Sequence, residues 1–103
     1  MSRTEFRIRM CGPVSVVQVH GPLDEAAAAS ILEFAAAAAG SCQAVQVDID
    51  EAESLSTEAT ALLLFPDEKR TRPGPKIVLR AASGAGQRAV LRAYARRRGR
   101  PQP

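Results

Sequence analysis

Aromatic residues are scarce in this sequence: three Phe, one Tyr and no Trp, 4% of the chain. Proteins that hold single-stranded nucleic acid stack bases on aromatic side chains set in a basic groove, so the composition argues against a nucleic-acid partner. There is one histidine, His20, and two isolated cysteines, Cys11 and Cys42. A zinc site needs three or four ligands at recognisable spacing, and nucleophilic catalysis needs a base beside its nucleophile. With no G-x-S-x-G elbow or comparable motif, His20 reads as a structural residue at a strand end, and no catalytic or metal-binding residue is expected. No apolar run approaches the roughly 20 residues that cross a bilayer. The opening "MSRTEFRIRMCG" alternates charged and apolar residues, unlike a signal peptide. The expectation is a cytoplasmic protein with reduced thiols and no transmembrane segment.

What is present is enough for one small core. The chain has 103 residues, 46% hydrophobic and 24% charged, which suits one folded domain. Alanine is abundant, as in "DEAAAAS" and "EFAAAAAG". It favours helix but buries little area, so Ile, Leu, Val and a few Phe must supply the core. The net charge of +3 gathers in the tail "YARRRGRPQP". One domain over 1–98 and a basic, Pro-rich flexible tail over 99–103 are expected, the tail solvated.

"EFRIRM" alternates Phe6, Ile8 and Met10 against Glu5, Arg7 and Arg9, the period of a half-exposed strand. After the Gly-Pro break, Val14 to Val19 reads as a more central strand, antiparallel to the first. The period then changes. Asp24 suits the N-cap of a helix ending at Gly40, with Glu25 at the positive end of its dipole. Ala27, Ile31, Phe34 and Ala38 form its expected buried face, with Ala28, Leu32 and Ala35 flanking it. "AVQVDID" (44–50) is a third strand and "STEATALLLF" (56–65) a short second helix, stopped by Pro66. "PDEKRTRPGP" is a polar connection, "KIVLRAA" (76–82) a fourth strand, and 83–99 a last helix. There Val90, Leu91 and Tyr94 are expected inward and Arg88, Arg92 and Arg96 outward. The predicted fold class is α/β, a four-stranded mixed sheet with about three helices in the order β-β-α-β-α-β-α.

Two clusters invite chemistry. "GAGQRA" (84–89) matches G-x-G-x-x-A between a strand and a helix, the setting of a dinucleotide fingerprint. It follows the last strand, however, and has no acidic residue about 20 positions on to hold a ribose; the plain reading is a turn with Ser83 capping the helix. Asp48, Asp50, Glu51 and Glu53 cluster after the third strand, but no Ca²⁺ loop has their spacing, and they read as a solvated acidic loop. In "DIDEAESLSTEATALLLF" (48–65), Ser56 reads as N-cap and Thr57 and Glu58 as the first helical residues. Such an entrance is either an ordinary cap or an exposed regulatory surface, where a phosphorylated hydroxyl would add about 1.5–2 negative charges.

The run "VVQVHGPLDEAAAASILEFAAAAAGSCQAVQVDIDEAESLSTEATALLL" resembles the STAS domain, the family of anti-sigma-factor antagonists and related modules. "GPLD" matches the family's G-x-L-D through Gly21, Leu23 and Asp24. "VQVDID" matches its strand with an acidic end, and "LSTEATALLL" lies where the family has L-D-S-S-G-L-x-x-L-L. "KIVLRAASGAGQRAVLRAY" is similar to its final strand and helix, so the resemblance spans nearly the whole chain. The departures fall on the phosphorylation motif. Ser56 stands for the family's Asp, Glu58 for the serine that usually accepts phosphate, and Ala59 for the glycine. Thr57 matches the first hydroxyl. It also matches the threonine of members that serve lipid-transport ABC complexes, whose helix opens D-T-A-G-L-A-L-L-L.

The resemblance implies a non-enzymatic protein-interaction module, most simply an anti-sigma-factor antagonist or similar partner-switching regulator. Its partner would be an anti-sigma factor with a kinase-like ATPase fold, and contacts would come from Leu23, Asp24, Ser56, Thr57, Glu58, Ala59 and Thr60. Thr57 and Ser56 are the implied phosphorylation candidates, with Glu58 alternatively fixing one state. The chain itself needs no cofactor, since ATP would belong to the kinase. The alternative implied is a non-phosphorylated subunit of a phospholipid-transport ABC complex, packed on its ATPase. A nucleotide-binding module using "GAGQRA" is a third reading, and a homodimer is compatible with the first two.

Overall fold

The computed structural model describes residues 3–66 and 74–98; the 99–103 tail and most of the polar connection after Pro66 lie outside them. The described elements, in order, are β1 (Glu5–Cys11), β2 (Val14–Leu23), α1 (Glu25–Ala37), β3 (Ala44–Asp48), β4 (Ala52–Leu55), α2 (Thr57–Leu64), β5 (Lys76–Arg80) and α3 (Gly84–Arg98). β1 and β2 form an antiparallel hairpin closed at Cys11 and Val14, with Gly12 at φ 63° supplying the positive φ that a two-residue turn needs. β3 is parallel to both β2 and β5, so the sheet order is β1-β2-β3-β5. The α/β class and mixed sheet are as the sequence predicts, with one more strand.

That strand is β4. It pairs in parallel with Gly21–Leu23 at the far end of β2, beyond the stretch of β2 that β3 occupies. β2 therefore runs on through the Gly-Pro pair that reads in sequence as its end. The register shifts between Gly21 and Pro22, and a bulge of that kind accommodates Pro and redirects the strand.

Alternation decides the faces. Ser15, Val17, Val19 and Leu23 of β2, with Val45, Val47 and Ile49 after them, are buried, while Val16, Gln18, Gln46 and Asp48 remain half-buried. The buried face joins α1 and α2 in one core through Ala27, Ala28, Ile31, Ala35, Ala59 and Leu63. α1 buries Ala27 and Ile31 as expected, but its face is shifted toward the expected flank: Ala28 and Ala35 are buried, while Phe34 and Ala38 lie at the margin. Alanines let the helix approach the valine-rich sheet closely, and bulkier Phe34 packs at the edge.

α3 corrects the sequence reading more strongly. Its buried residues are Gly86, Ala89 and Ala93, whereas Leu91 is 67% exposed and Tyr94 43%. The helix docks against α2 by its small residues, with Val90 half-buried and Arg88, Arg92 and Arg96 outward as expected. A Cβ at Gly86 would stand 3.0 Å from the Ala81 Cβ and 3.1 Å from the Ser83 Oγ. The second glycine of "GAGQRA" is therefore used inside the chain, for close packing at the helix entrance. Tyr94 sets its ring edge-on to Phe65 with centroids 5.2 Å apart.

Candidate functional site

Both candidate segments meet at one end of the sheet. Each helix entrance is closed by its own cap. The Ala27 N–H donates to Asp24 Oδ1 at 2.8 Å, the Ala59 N–H to Ser56 Oγ at 3.1 Å, and the Gly86 N–H to Ser83 Oγ at 3.0 Å. These satisfy donors that the first turn of a helix leaves unpaired. The Ser56 N–H donates to the Leu23 carbonyl at 3.0 Å, so the end of β2 holds the start of α2 directly beside the Asp24 turn.

Within that frame the expected contact residues divide sharply. Leu23, Ala59 and Thr60 are buried, at 1%, 0% and 0% exposure. They face the core because α2 must bury one side against α1 and the sheet, so they cannot touch another protein while the fold is intact. The Thr60 hydroxyl donates to the Ser56 carbonyl at 2.8 Å and fixes the first turn. Asp24 and Glu58 are exposed, and Ser56 and Thr57 half-buried. The surface is therefore Asp24, Ser56, Thr57 and Glu58, upheld by the three buried residues.

The two hydroxyls differ. Ser56 Oγ accepts from Ala59 and donates to Glu58 Oε2 at 3.3 Å. Thr57 makes no side-chain hydrogen bond with any described residue. Glu58 forms an ion pair with Arg96 of α3. Its own backbone N–H and the Arg96 guanidinium hold its carboxyl below the ordinary range, so it is charged at neutral pH.

Asp50 is the residue that sequence reasoning missed. It accepts from the Ala82 N–H at 2.9 Å and from the Ser83 N–H at 2.8 Å, tying the β3–β4 turn to the entrance of α3. The Ser83 N–H is the main reason that its carboxyl titrates below the usual 3.8. Only the register could have revealed this: Asp48 pairs with Arg80 across the parallel β3–β5 ladder, which places residue 50 opposite residue 82. Among the described residues, no three His, Cys, Asp or Glu side chains gather as a metal site. His20 stands opposite Glu5 on β1, its Nε2 buried without a hydrogen bond among those residues. No described helix is long and apolar enough to cross a membrane.

Solved structures share this fold. An anti-sigma factor antagonist from Mycobacterium paratuberculosis superimposes with a TM-score of 0.63 at 20% identity, over 93% of this chain and 82% of that one. The anti-sigma factor antagonist SpoIIAA in its unphosphorylated form gives 0.63 at 15% identity, over 95% and 100%. The chain has the fold of the anti-sigma-factor antagonists. No protein-family model matches the sequence, and no curated protein matches it either. The departures from the STAS pattern at Ser56, Glu58 and Ala59 lie at the entrance of α2 in that fold.

Proposed function

We propose that this chain is a non-enzymatic partner-switching module, an anti-sigma-factor antagonist or close functional equivalent. It docks the entrance of α2, with the Asp24 turn beside it, on a kinase-like anti-sigma factor in the bacterial cytoplasm. The observation that carries the reading is the unengaged Thr57 hydroxyl at a rigidly capped helix start, in a fold shared with two anti-sigma-factor antagonists. Ser56 is occupied as a cap, so Thr57 is the phosphate acceptor of choice. A phosphate there would add about 1.5–2 negative charges. The α2 dipole tolerates that charge, but a partner seated over it does not.

The test is to capture the partner from the native cytoplasm and incubate the pair with ATP. A gain of one phosphate in intact mass, mapped to Thr57, supports switching. Capture of an ATP-binding cassette subunit without any mass change would support the lipid-transport alternative.

A further inference from the structure

On α3, Ala85, Arg88 and Arg92 follow the three- and four-residue spacing of one helix face. They line a crevice of about 180 Å³ with Ala52, Glu53, Ser54 and Leu55 of β4. Among the described residues β4 pairs with β2 alone, so one of its edges has no strand partner there. No hydrogen bond or ion pair engages Arg88 or Arg92 among the described residues. The Arg88 guanidinium lies near Gly84: a Cβ there would stand 3.2 Å from its Nη1. This cation therefore sits at the positive end of the α3 dipole, in a first turn that holds no acidic residue. Such an arrangement is unfavourable unless an anion approaches. Against the two guanidiniums the crevice sets a single carboxylate, Glu53.

We infer that this crevice receives an extended acidic segment of the protein that docks at α2. The inference rests on the proposed docking, because the same arginine row ends at Arg96, which holds Glu58 beside Thr57. The spacing fits. Four helical residues separate Arg88 from Arg92, roughly 6 Å along the axis, and alternate side chains of an extended strand stand roughly 6.7 Å apart. A segment with acidic residues at every second position therefore presents one carboxylate to each guanidinium, with its backbone toward the free edge of β4. The volume is below the roughly 300 Å³ at which small-molecule pockets begin. No aromatic side chain lines the crevice, so bases would find nothing to stack on.

The experiment uses the full chain and a fluorescein-labelled peptide alternating Glu and Thr, with a Gln-for-Glu peptide as control. The Glu peptide is expected to bind, more weakly as salt rises, while the control does not. Amide shifts should map to 52–55 and 85–92. Arg88→Gln/Arg92→Gln should weaken binding at least tenfold with its melting temperature unchanged. Equal affinity in the double variant, shifts elsewhere, or tighter binding of an oligothymidylate at the same residues overturns the inference. Failure of the α2 reading shows separately, as Thr57→Arg protein that still captures its partner.

Discussion

Gly21 is the position where a single methyl group should be felt most. Three described glycines have positive φ: Gly12 at 63°, Gly40 at 86° and Gly21 at 96°. A Cβ added at Gly12 or Gly40 meets nothing within 4 Å. There alanine suffers only the left-handed backbone penalty, ~1–2 kcal/mol. The stiffer unfolded chain returns ~0.4–1 kcal/mol of that. At Gly21 the same methyl would stand 2.6 Å from the Arg3 carbonyl oxygen and 3.1 Å from the Thr4 Cα. Both are backbone atoms, so no flexible side chain can swing aside, and overpacking of this kind adds ~1–3 kcal/mol.

Gly21→Ala should therefore cost ~2–4 kcal/mol against ~1 kcal/mol for Gly12→Ala or Gly40→Ala. The N-terminal segment could lift away instead, but that sacrifices the bond from Thr4 Oγ1 to the Pro22 carbonyl and again costs ~1 kcal/mol. Urea unfolding of the three variants, with m-values compared, measures the difference. If Gly21→Ala proves no less stable than Gly12→Ala, the close approach of Arg3 to the β2 bulge is wrong. The glycine of the G-x-L-D motif would then need another explanation.

Thr57→Arg should abolish capture of the partner while shifting stability by no more than ~0.5 kcal/mol, as for a surface substitution; unfolding of the variant would refute the surface reading. Asp50→Asn should cost ~1 kcal/mol at pH 7, the value of a charge-assisted bond reduced by exposure to solvent. Because the Asp50 carboxyl titrates below 3.8 when folded, its contribution is complete above that pH and disappears as pH falls through the lowered value. The gap between wild type and Asp50→Asn should close on acidification; a gap that stays constant as the pH falls below 3.8 contradicts the assignment. Arg96→Gln should weaken partner capture without phosphorylation, since it leaves Glu58 charged and unpaired beside Thr57; unaltered capture would show that Arg96 does not mask that charge.

The sheet was legible where side chains alternate and the helices where caps are strong. Val45, Val47 and Ile49 declared their face, and Asp24, Ser56 and Ser83 all cap the helices that they precede. What escaped detection lacks a periodic signal. β4 is four residues with only partial burial, and it exists because the β2 bulge offers it a partner. Ala27 and Ile31 of α1 are buried and Arg88, Arg92 and Arg96 of α3 exposed as expected, but the places of Phe34, Ala38, Leu91 and Tyr94 were misjudged. Large apolar residues look inward on a helical wheel, but a helix seated closely on another surface buries its Gly and Ala instead, leaving Leu91 outside. At the candidate site, the cap pattern marked the start of α2 but could not show that Leu23, Ala59 and Thr60 support it from below.

An acidic residue at position 58, where the STAS pattern that the chain resembles has a phosphorylatable serine, suggests a permanently phosphorylated mimic. Its pairing argues otherwise. Arg96 neutralises the Glu58 carboxylate, so the two side chains together add almost no net charge to the surface beside Thr57. A phosphate is larger than a carboxylate in charge, about 1.5–2 units against one, and a carboxylate already matched by a guanidinium is weaker still. Under the proposed reading the resting surface therefore resembles the unphosphorylated state, and Thr57 retains the capacity to change it. The arginine row of α3 then has two parts: Arg96 silences the fixed charge at the docking surface, and Arg88 and Arg92 remain open to charges brought by the partner.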